Sequence, residues 1–351
     1  MMMNRVQFED CRTIGKLGYI NWEAFQGATI LITGSTGLIG SNLVNALFYN
    51  IQEKKLDTKL ILPVRNISKA RELFPYQAVK IIDYSLGNVL PISDKIDYIV
   101  HLSSPTDSIL FSKKPVDTMR ANINGTMALL EYASMKRIKK FIYASTMEVY
   151  GFPEKGHVIK EKEIGAFDPM NVRNSYPIAK IACEALCHNF HFQHGVPSVI
   201  LRLTQTFGPG TRYDDRRVFA EFMRCAIEKK DIILKTKGLT ERSYLYTADA
   251  VSAIILAMIK GNAGDVYSVA NPKTYCSIKE MAELVASRVA NGEISVNVNE
   301  AESTLFGYAD TLYMDLDISK VAQLGWKPMT NLYDMYMRMI NSYMDEQQVP
   351  L

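Results

Sequence analysis

The chain of 351 residues has few cysteines, no long apolar run and no excess of charge of either sign. Its five cysteines are an odd number without the spacing of a disulfide framework or a zinc site, which favours a reducing, cytoplasmic location. The longest apolar run, 250–259, falls far short of the roughly 20 residues that a membrane span needs, and the charged start predicts no secretory signal. The 40 basic and 37 acidic residues leave a formal charge of +3, too balanced to indicate nucleic acid or a membrane surface as a partner.

Short apolar segments alternate with amphipathic stretches from residue 28 onward. The apolar segments are ATILIT, KLILPV, VKII, YIVHL, KFIYAS and SVILRL. This alternation predicts an α/β fold, in which a doubly wound parallel sheet is covered by helices on both faces. After residue 208 helix-rich segments with short strands predict a smaller α/β lobe over the carboxyl ends of the strands. The helical segments are 217–230, 247–260 and 277–290.

The first apolar segment runs into a glycine-rich turn that a helical pattern follows. Gly34 permits the tight turn, Gly37 lets the backbone approach a pyrophosphate, and Gly40 allows close packing of helix on strand. The helix N-terminus, at Leu38 and Ile39, attracts phosphate groups. A glycine triplet alone is a weak signal, but the strand before it and the helix after it indicate an NAD- or NADP-binding Rossmann-type domain. We therefore predict three parts: an N-terminal arm (1–27) without an assigned role, the dinucleotide-binding domain (28–203) and a lobe (204–351) that mainly binds the substrate.

Two residues at the ends of the next strand candidates bear on the choice between NAD and NADP. Arg65 stands where an NAD-preferring fold usually has an acidic residue, and its guanidinium can pair with a 2′-phosphate. It tilts the prediction slightly toward NADP, although a solvated arginine at a strand end explains it equally well. Asp83 suits the adenine edge of the cofactor, or forms a turn.

A threonine and a tyrosine–lysine pair supply candidate chemistry. Thr146 follows the segment KFIYAS, and a spacing of four places Tyr176 and Lys180 on one helical face. A neighbouring ammonium and a nicotinamide cation both favour the tyrosine phenolate, which can take a hydroxyl proton while hydride leaves the same carbon. Y-x-x-x-K alone is common by chance, but the preceding glycine turn, strand and threonine make the combination specific.

In this combination the chain resembles the extended short-chain dehydrogenase/reductases, the NAD-dependent epimerase/dehydratase family, from residue 28 to about residue 339. Within that family it most resembles the UDP-glucuronate decarboxylases, or UDP-xylose synthases. The likeness rests on HLSSPTD (101–107), ASTMEVYG (144–151), DPMNVRNSYPIAK (168–180), DDRRVFAEF (214–222) and ERSYLYTADAV (241–251).

The resemblance implies a site and a reaction. It implies that Thr146, Tyr176 and Lys180 are catalytic together with Glu148, which would lie beside the sugar. Tyr176 and Lys180 would also bind the cofactor, with Lys180 at the nicotinamide ribose. The substrate-binding candidates are Ser104, Arg173, Gln205, Arg217 and Arg242. Of these, Arg217 and Arg242 would bind the diphosphate. Oxidation at C4 by a tightly bound, recycled NAD or NADP turns a uronate into a β-keto acid that loses carbon dioxide. The implied substrate is a nucleotide sugar, with UDP favoured, the implied assembly is a homodimer, and no metal is needed.

Two departures from the decarboxylase pattern leave other reactions open. Met147 stands where decarboxylases carry serine and dTDP-glucose 4,6-dehydratases carry an aspartate acid, and Gln205 replaces an asparagine. A 4,6-dehydratase that uses Glu148 as its acid/base is the first alternative, and a 4-epimerase, which generally lacks that glutamate, is the second. An inactive nucleotide-binding protein is the non-enzymatic alternative, which the complete catalytic set opposes.

One further cluster could suggest metal binding. Cys183, Cys187, His188, His191 and His194 follow one another at helical spacings. The same spacings arise on any amphipathic helix, and no carboxylate partner is evident. We therefore predict no metal site.

Overall fold

The computed structural model describes residues 3–105, 108–299 and 311–348. Seven strands form the main sheet: β1 (Thr29–Thr33), β2 (Lys59–Val64), β3 (Val79–Asp83), β4 (Tyr98–His101), β5 (Lys140–Thr146), β7 (Ser198–Leu203) and β11 (Val266–Val269). All pair in parallel, in the order β11-β7-β5-β4-β1-β2-β3. The first six are the apolar segments identified in the sequence, and the carboxyl ends of all seven lie along one edge.

Helices cover both faces of this sheet. They are α2 (Leu38–Glu53), α3 (Ile67–Leu73), α4 (Ser108–Lys113), α5 (Pro115–Lys136), α6 (Ser175–His194) and α8 (Thr247–Lys260). Because successive strand residues point to opposite faces, Ile30 and Ile32 belong to one core with α2 and α8, while Leu31 belongs to a second core with α5 and α6. The doubly wound α/β fold predicted from the alternation is confirmed.

The remaining strands and helices form a smaller lobe. Its five-stranded sheet contains β6 (Val158–Ile159), β8 (Gln205–Phe207), β10 (Glu241–Tyr246), β12 (Asn271–Ser277) and β14 (Tyr313–Leu316). A pair is formed by β9 (Ile232–Leu234) and β13 (Val296–Val298). The helices are α7 (Val218–Glu228), α9 (Ile278–Leu284) with a π-helical turn (Val285–Val289), α10 (Ser319–Gln323) and α11 (Leu332–Gln348).

The structure does not divide cleanly at residue 203, because each predicted segment contributes elements to the other part. The segment 204–351 supplies β11 and α8 to the main sheet and its core, whereas β6 from the earlier segment joins the smaller sheet. A strand as short as β11 becomes stable only by pairing with β7, which is distant in sequence. The division therefore stays a prediction about which part binds which ligand.

Residues 3–27 pack into the first core. Helix α1 (Arg5–Gly15) begins with a capping box between Asn4 and Gln7, and Trp22 and Phe25 of the next turn are buried. Asp10 on α1 accepts hydrogen bonds from Tyr246 and Arg338, at 2.7 and 2.8 Å. The predicted arm thus joins β10 and α11 through a buried polar contact.

None of the helices in the described ranges is long and apolar enough to cross a membrane. Within the same ranges, no three His, Cys, Asp or Glu side chains lie close enough together to hold a metal ion. Cys183 and Cys187 instead face the core beneath α6.

Candidate active site

The glycine turn after β1 is shaped by close backbone contacts. Gly34 has φ +70°, and a Cβ there would lie 2.7 Å from the Ser103 nitrogen, so a larger residue cannot be accommodated. A Cβ on Gly40 would collide with the Gly34 carbonyl oxygen, whereas Gly37 is restricted far less. The Ser35 hydroxyl is buried and has no hydrogen-bond partner among the described residues. A tight turn with unpaired donors at a helix N-terminus fits a dinucleotide pyrophosphate.

The other cofactor candidates lie along the same edge of the sheet. Leu38 and Ile39 open α2, so their backbone N–H groups belong to the unpaired first turn. Arg65 directly follows β2, and Asp83 ends β3 opposite Val64. The side chains of Arg65 and Asp83 are both exposed, which leaves them accessible to the adenosine end of a dinucleotide. The residues present therefore fit NAD or NADP.

Tyr176 lies in the first turn of α6 and is buried. Its ring stacks on Phe111 at 4.2 Å with an interplanar angle of 4°. Burial raises the pKa of the Tyr176 hydroxyl, and the charge of Glu148 raises it further. Hydrogen bonds with Thr146 and Ser104 act against this rise, so both hydroxyls lie close to that of Tyr176. The site thus brings together a threonine, a serine and a tyrosine from three different segments.

Lys180 lies one turn further along α6 and is buried. Its Nζ donates a hydrogen bond of 2.8 Å to the Ala144 carbonyl and lies 5.9 Å from the Tyr176 ring centroid. Burial lowers the pKa of Lys180 to about 8, although Cys183 and Glu184 shift it in the opposite direction. The Lys180 ammonium therefore lies beside the Tyr176 ring, and with a pKa of about 8 it is mostly protonated at neutral pH.

Glu148 and Arg173 form an ion pair beside the tyrosine. The distance from Arg173 NH1 to Glu148 Oε2 is 3.4 Å, and both side chains are about one-third exposed. The Arg173 guanidinium also lies 5.2 Å from the Phe111 ring centroid, so Phe111 contacts both this arginine and Tyr176. Met147 lies in an apolar cluster of the smaller sheet, and it supplies no polar group to the site.

The three remaining substrate candidates lie in the smaller lobe. Arg242 on β10 donates from NH1 to Gln205 Oε1 on β8 across a long 3.5 Å, and its Nε is buried without a partner among the described residues. Arg217 precedes α7 and forms a bidentate pair with Asp215, with NH2 and Oδ2 2.5 Å apart. The structure thus joins Gln205 and Arg242, whereas Arg217 is held separately by Asp215.

Several contacts in the site were not predicted from sequence. The sequence around Phe111 contains no motif that would indicate a site residue, because only the tertiary fold places Phe111 on Tyr176. Glu184 could have been identified, because it follows Lys180 by four residues on the same helix, whereas its partners Ser145 and Arg202 come from other strands. The last two residues of the stretch 101–107, Thr106 and Asp107, lie outside the described residues.

Comparison with known proteins agrees with this geometry. The profile of the NAD dependent epimerase/dehydratase family matches residues 30–270. The chain belongs to that family. UDP-glucuronic acid decarboxylase 3 of Arabidopsis thaliana is 31% identical over 307 residues, which cover 86% of this chain and 85% of that protein. UDP-glucuronic acid decarboxylase 1 of Xenopus tropicalis is 29% identical over 321 residues, which cover 90% of this chain and 72% of that protein.

Several solved structures share the fold of this chain. A UDP-N-acetylglucosamine 4-epimerase of Methanobrevibacter ruminantium, in complex with UDP-N-acetylmuramic acid, has a TM-score of 0.78 at 22% identity and covers 92% of this chain and 99% of its own. A UDP-glucuronic acid 4-epimerase of Bacillus cereus, with UDP-glucuronic acid and NAD, has a TM-score of 0.74 at 23% identity and covers 92% and 100%. The predictions of the family, the fold class and an NAD-dependent enzyme are confirmed.

Proposed function

We propose that this enzyme decarboxylates UDP-glucuronate through transient oxidation at C4 of the sugar. The observation that carries the proposal is the position of the Glu148–Arg173 pair beside a tyrosine hydroxyl that Thr146 and Ser104 also contact. Similar proteins named UDP-glucuronic acid decarboxylases support the choice of substrate.

The first step requires removal of the C4 hydroxyl proton. Tyr176 as phenolate accepts this proton and becomes neutral, and the Lys180 ammonium stabilises the phenolate before the transfer. Thr146 and Ser104 hold the reacting oxygen by hydrogen bonds. A bound dinucleotide supplies the site that accepts hydride from C4 and later returns it. The 4-keto sugar is a β-keto acid, so carbon dioxide leaves with its electrons accommodated as an enolate, which is then protonated and reduced.

The charges near Tyr176 favour decarboxylation over dehydration. Loss of water across C5 and C6 needs a base at C5 and an acid at the departing hydroxyl, hence two proton-transfer groups. Glu148 is the carboxylate that raises the pKa of Tyr176, and it is paired with Arg173. Met147 supplies no acid. A uronate carboxylate can instead pair with the Arg173 guanidinium, which is about one-third exposed.

The decisive experiment follows product masses. Purified protein is incubated separately with UDP-glucuronate, dTDP-glucose and GDP-mannose, and each product is analysed by mass spectrometry and chromatography. We expect loss of carbon dioxide from UDP-glucuronate only, and none with the Tyr176→Phe variant. Loss of water from a hexose would establish the 4,6-dehydratase, and a product of unchanged mass but altered retention would establish the 4-epimerase. Dinucleotide binding without any product would indicate the inactive nucleotide-binding protein.

Finer properties are proposed on narrower support. The side chain of Arg65 is exposed at the end of β2, so it is accessible to a 2′-phosphate, which favours NADP over NAD. Exposed apolar side chains on α5 and α6, among them Met135 and Phe192, support a homodimer formed through these helices. Five free cysteines support a reducing, cytoplasmic location. Identification of the dinucleotide released on denaturation tests the cofactor preference. Light scattering tests the homodimer, and cell fractionation tests the location.

A further inference from the structure

A buried ion pair lies one helical turn beyond Lys180. Arg202 of β7 donates to the carboxylate of Glu184 on α6, with 2.6 Å between NH2 and Oε2 and 3.0 Å between Nε and Oε1. The two side chains are only 3% and 8% exposed. Ser145 donates from its hydroxyl to Glu184 Oε1 at 2.5 Å. Three segments of the main sheet and its covering helix therefore meet at one carboxylate.

Arg202 has further partners beyond Glu184. Its NH1 donates to the Glu161 carbonyl at 2.9 Å, and its guanidinium lies 4.8 Å from the ring centroid of Tyr150. The hydroxyl of Tyr150 in turn lies 2.7 Å from that of Ser268 on β11. A buried ion pair of this kind is seldom more stabilising than apolar residues of the same size, because the desolvation of both charges offsets their attraction. Its presence calls for a role other than net stability.

The groups that this pair joins are neighbours of the catalytic residues. Ser145 directly precedes Thr146, Glu184 follows Lys180 by one turn, and Tyr150 ends the short turn that carries Glu148. We propose that Glu184, held by Arg202 and Ser145, is a positioning residue that fixes Lys180 and Tyr176 relative to Thr146. The inference rests on the proposed function for the reaction in which that geometry is used.

Electrostatics adds a second effect of the same carboxylate. The titratable groups that face Lys180 come from three elements: Tyr176, Cys183, Glu184 and Cys187 from α6, Tyr143 from β5 and His101 from β4. Of these only Glu184 is a carboxylate, and it acts against the effect of burial on the pKa of Lys180. Burial lowers the pKa of His101 to about 3, so this imidazole is neutral and adds no charge. Removal of the Glu184 charge is therefore expected to let Lys180 lose its proton at lower pH.

The test compares two variants of the intact enzyme with a matched control. Glu184→Gln keeps the shape of the side chain and removes its charge, and Ser145→Ala removes a single hydrogen bond. Glu131→Gln, which neutralises an exposed glutamate on α5, is the control. We expect Glu184→Gln to lower kcat by about 10-fold or more with little change in KM, because misplaced groups slow the chemical step. In Glu184→Gln the decline of kcat with rising pH should also begin at a lower pH than in the unmodified enzyme. The control should match the unmodified enzyme.

Several outcomes would overturn the inference. A folded Glu184→Gln enzyme with unchanged kcat and an unchanged pH profile contradicts it. If that variant does not fold, Ser145→Ala decides the question, since it should lower kcat with KM unchanged, and an unaltered kcat contradicts the positioning role. Absence of any turnover by the unmodified protein contradicts the proposed function alone. In that case crystal structures of the unmodified protein and of Glu184→Gln test the positioning role. In the variant the Lys180 ammonium should no longer lie within hydrogen-bonding distance of the Ala144 carbonyl. An unchanged position of the ammonium contradicts the role proposed for Glu184.

Discussion

Replacement of Arg242 by methionine should separate ligand affinity from stability. The buried Nε of this arginine has no hydrogen-bond partner among the described residues, and NH1 reaches only Gln205, at 3.5 Å. A buried donor without a partner costs about 1–3 kcal/mol, so an apolar side chain of similar length is expected to raise the free energy of unfolding by about 1 kcal/mol. A bound diphosphate would supply the missing acceptor for Arg242. Loss of the arginine donor should therefore weaken diphosphate binding by about 1.5–3 kcal/mol, or roughly 10- to 100-fold in Kd.

Thermal unfolding and calorimetric titration with UDP measure the two quantities in the same preparation. Arg242→Met should unfold at a higher temperature than the unmodified protein without UDP and gain less stability when UDP is added. Arg212→Met is the control, because Arg212 pairs with Asp214 at the surface and its side chain is 75% exposed. Unchanged UDP affinity in Arg242→Met, or a loss of stability without ligand, would refute the reasoning.

Three further predictions follow from single residues. Tyr176→Phe should lower kcat by about 10²- to 10⁴-fold while NAD affinity is kept, because the stacking on Phe111 needs no hydroxyl, and a kcat within tenfold of the unmodified enzyme would contradict the assigned role. Burial raises the pKa of Asp249 from 3.8 to about 7, so the folded state binds more protons between these values and the free energy of unfolding should fall as pH rises through this window. Urea unfolding should show a shallower fall in Asp249→Asn, and an equal fall would count against the assignment. Arg65→Ala should weaken NADP binding more than NAD binding in fluorescence titrations, and equal weakening would argue for NAD.

Local patterns predicted the parts of the site that lie close together in sequence. The glycine turn was identifiable because a strand, a turn and a helix follow one another within 29–53. Tyr176 and Lys180 were identifiable because a spacing of four places them on one face of α6. Neither β11 nor the packing of α1 was identifiable in this way, since each becomes stable only against partners far along the chain.

The electrostatics of the site depended on the tertiary fold. The sequence shows that Lys180 is present, but only burial beside Tyr143 and the Ala144 carbonyl lowers its pKa to about 8. The sequence by itself determined the fold class and predicted the glycine turn and the tyrosine–lysine pair, because periodicity and turn chemistry are local. The tertiary structure alone decided that Phe111 stacks on Tyr176 and that Arg202 pairs with Glu184, because packing and desolvation depend on residues that only folding brings into contact.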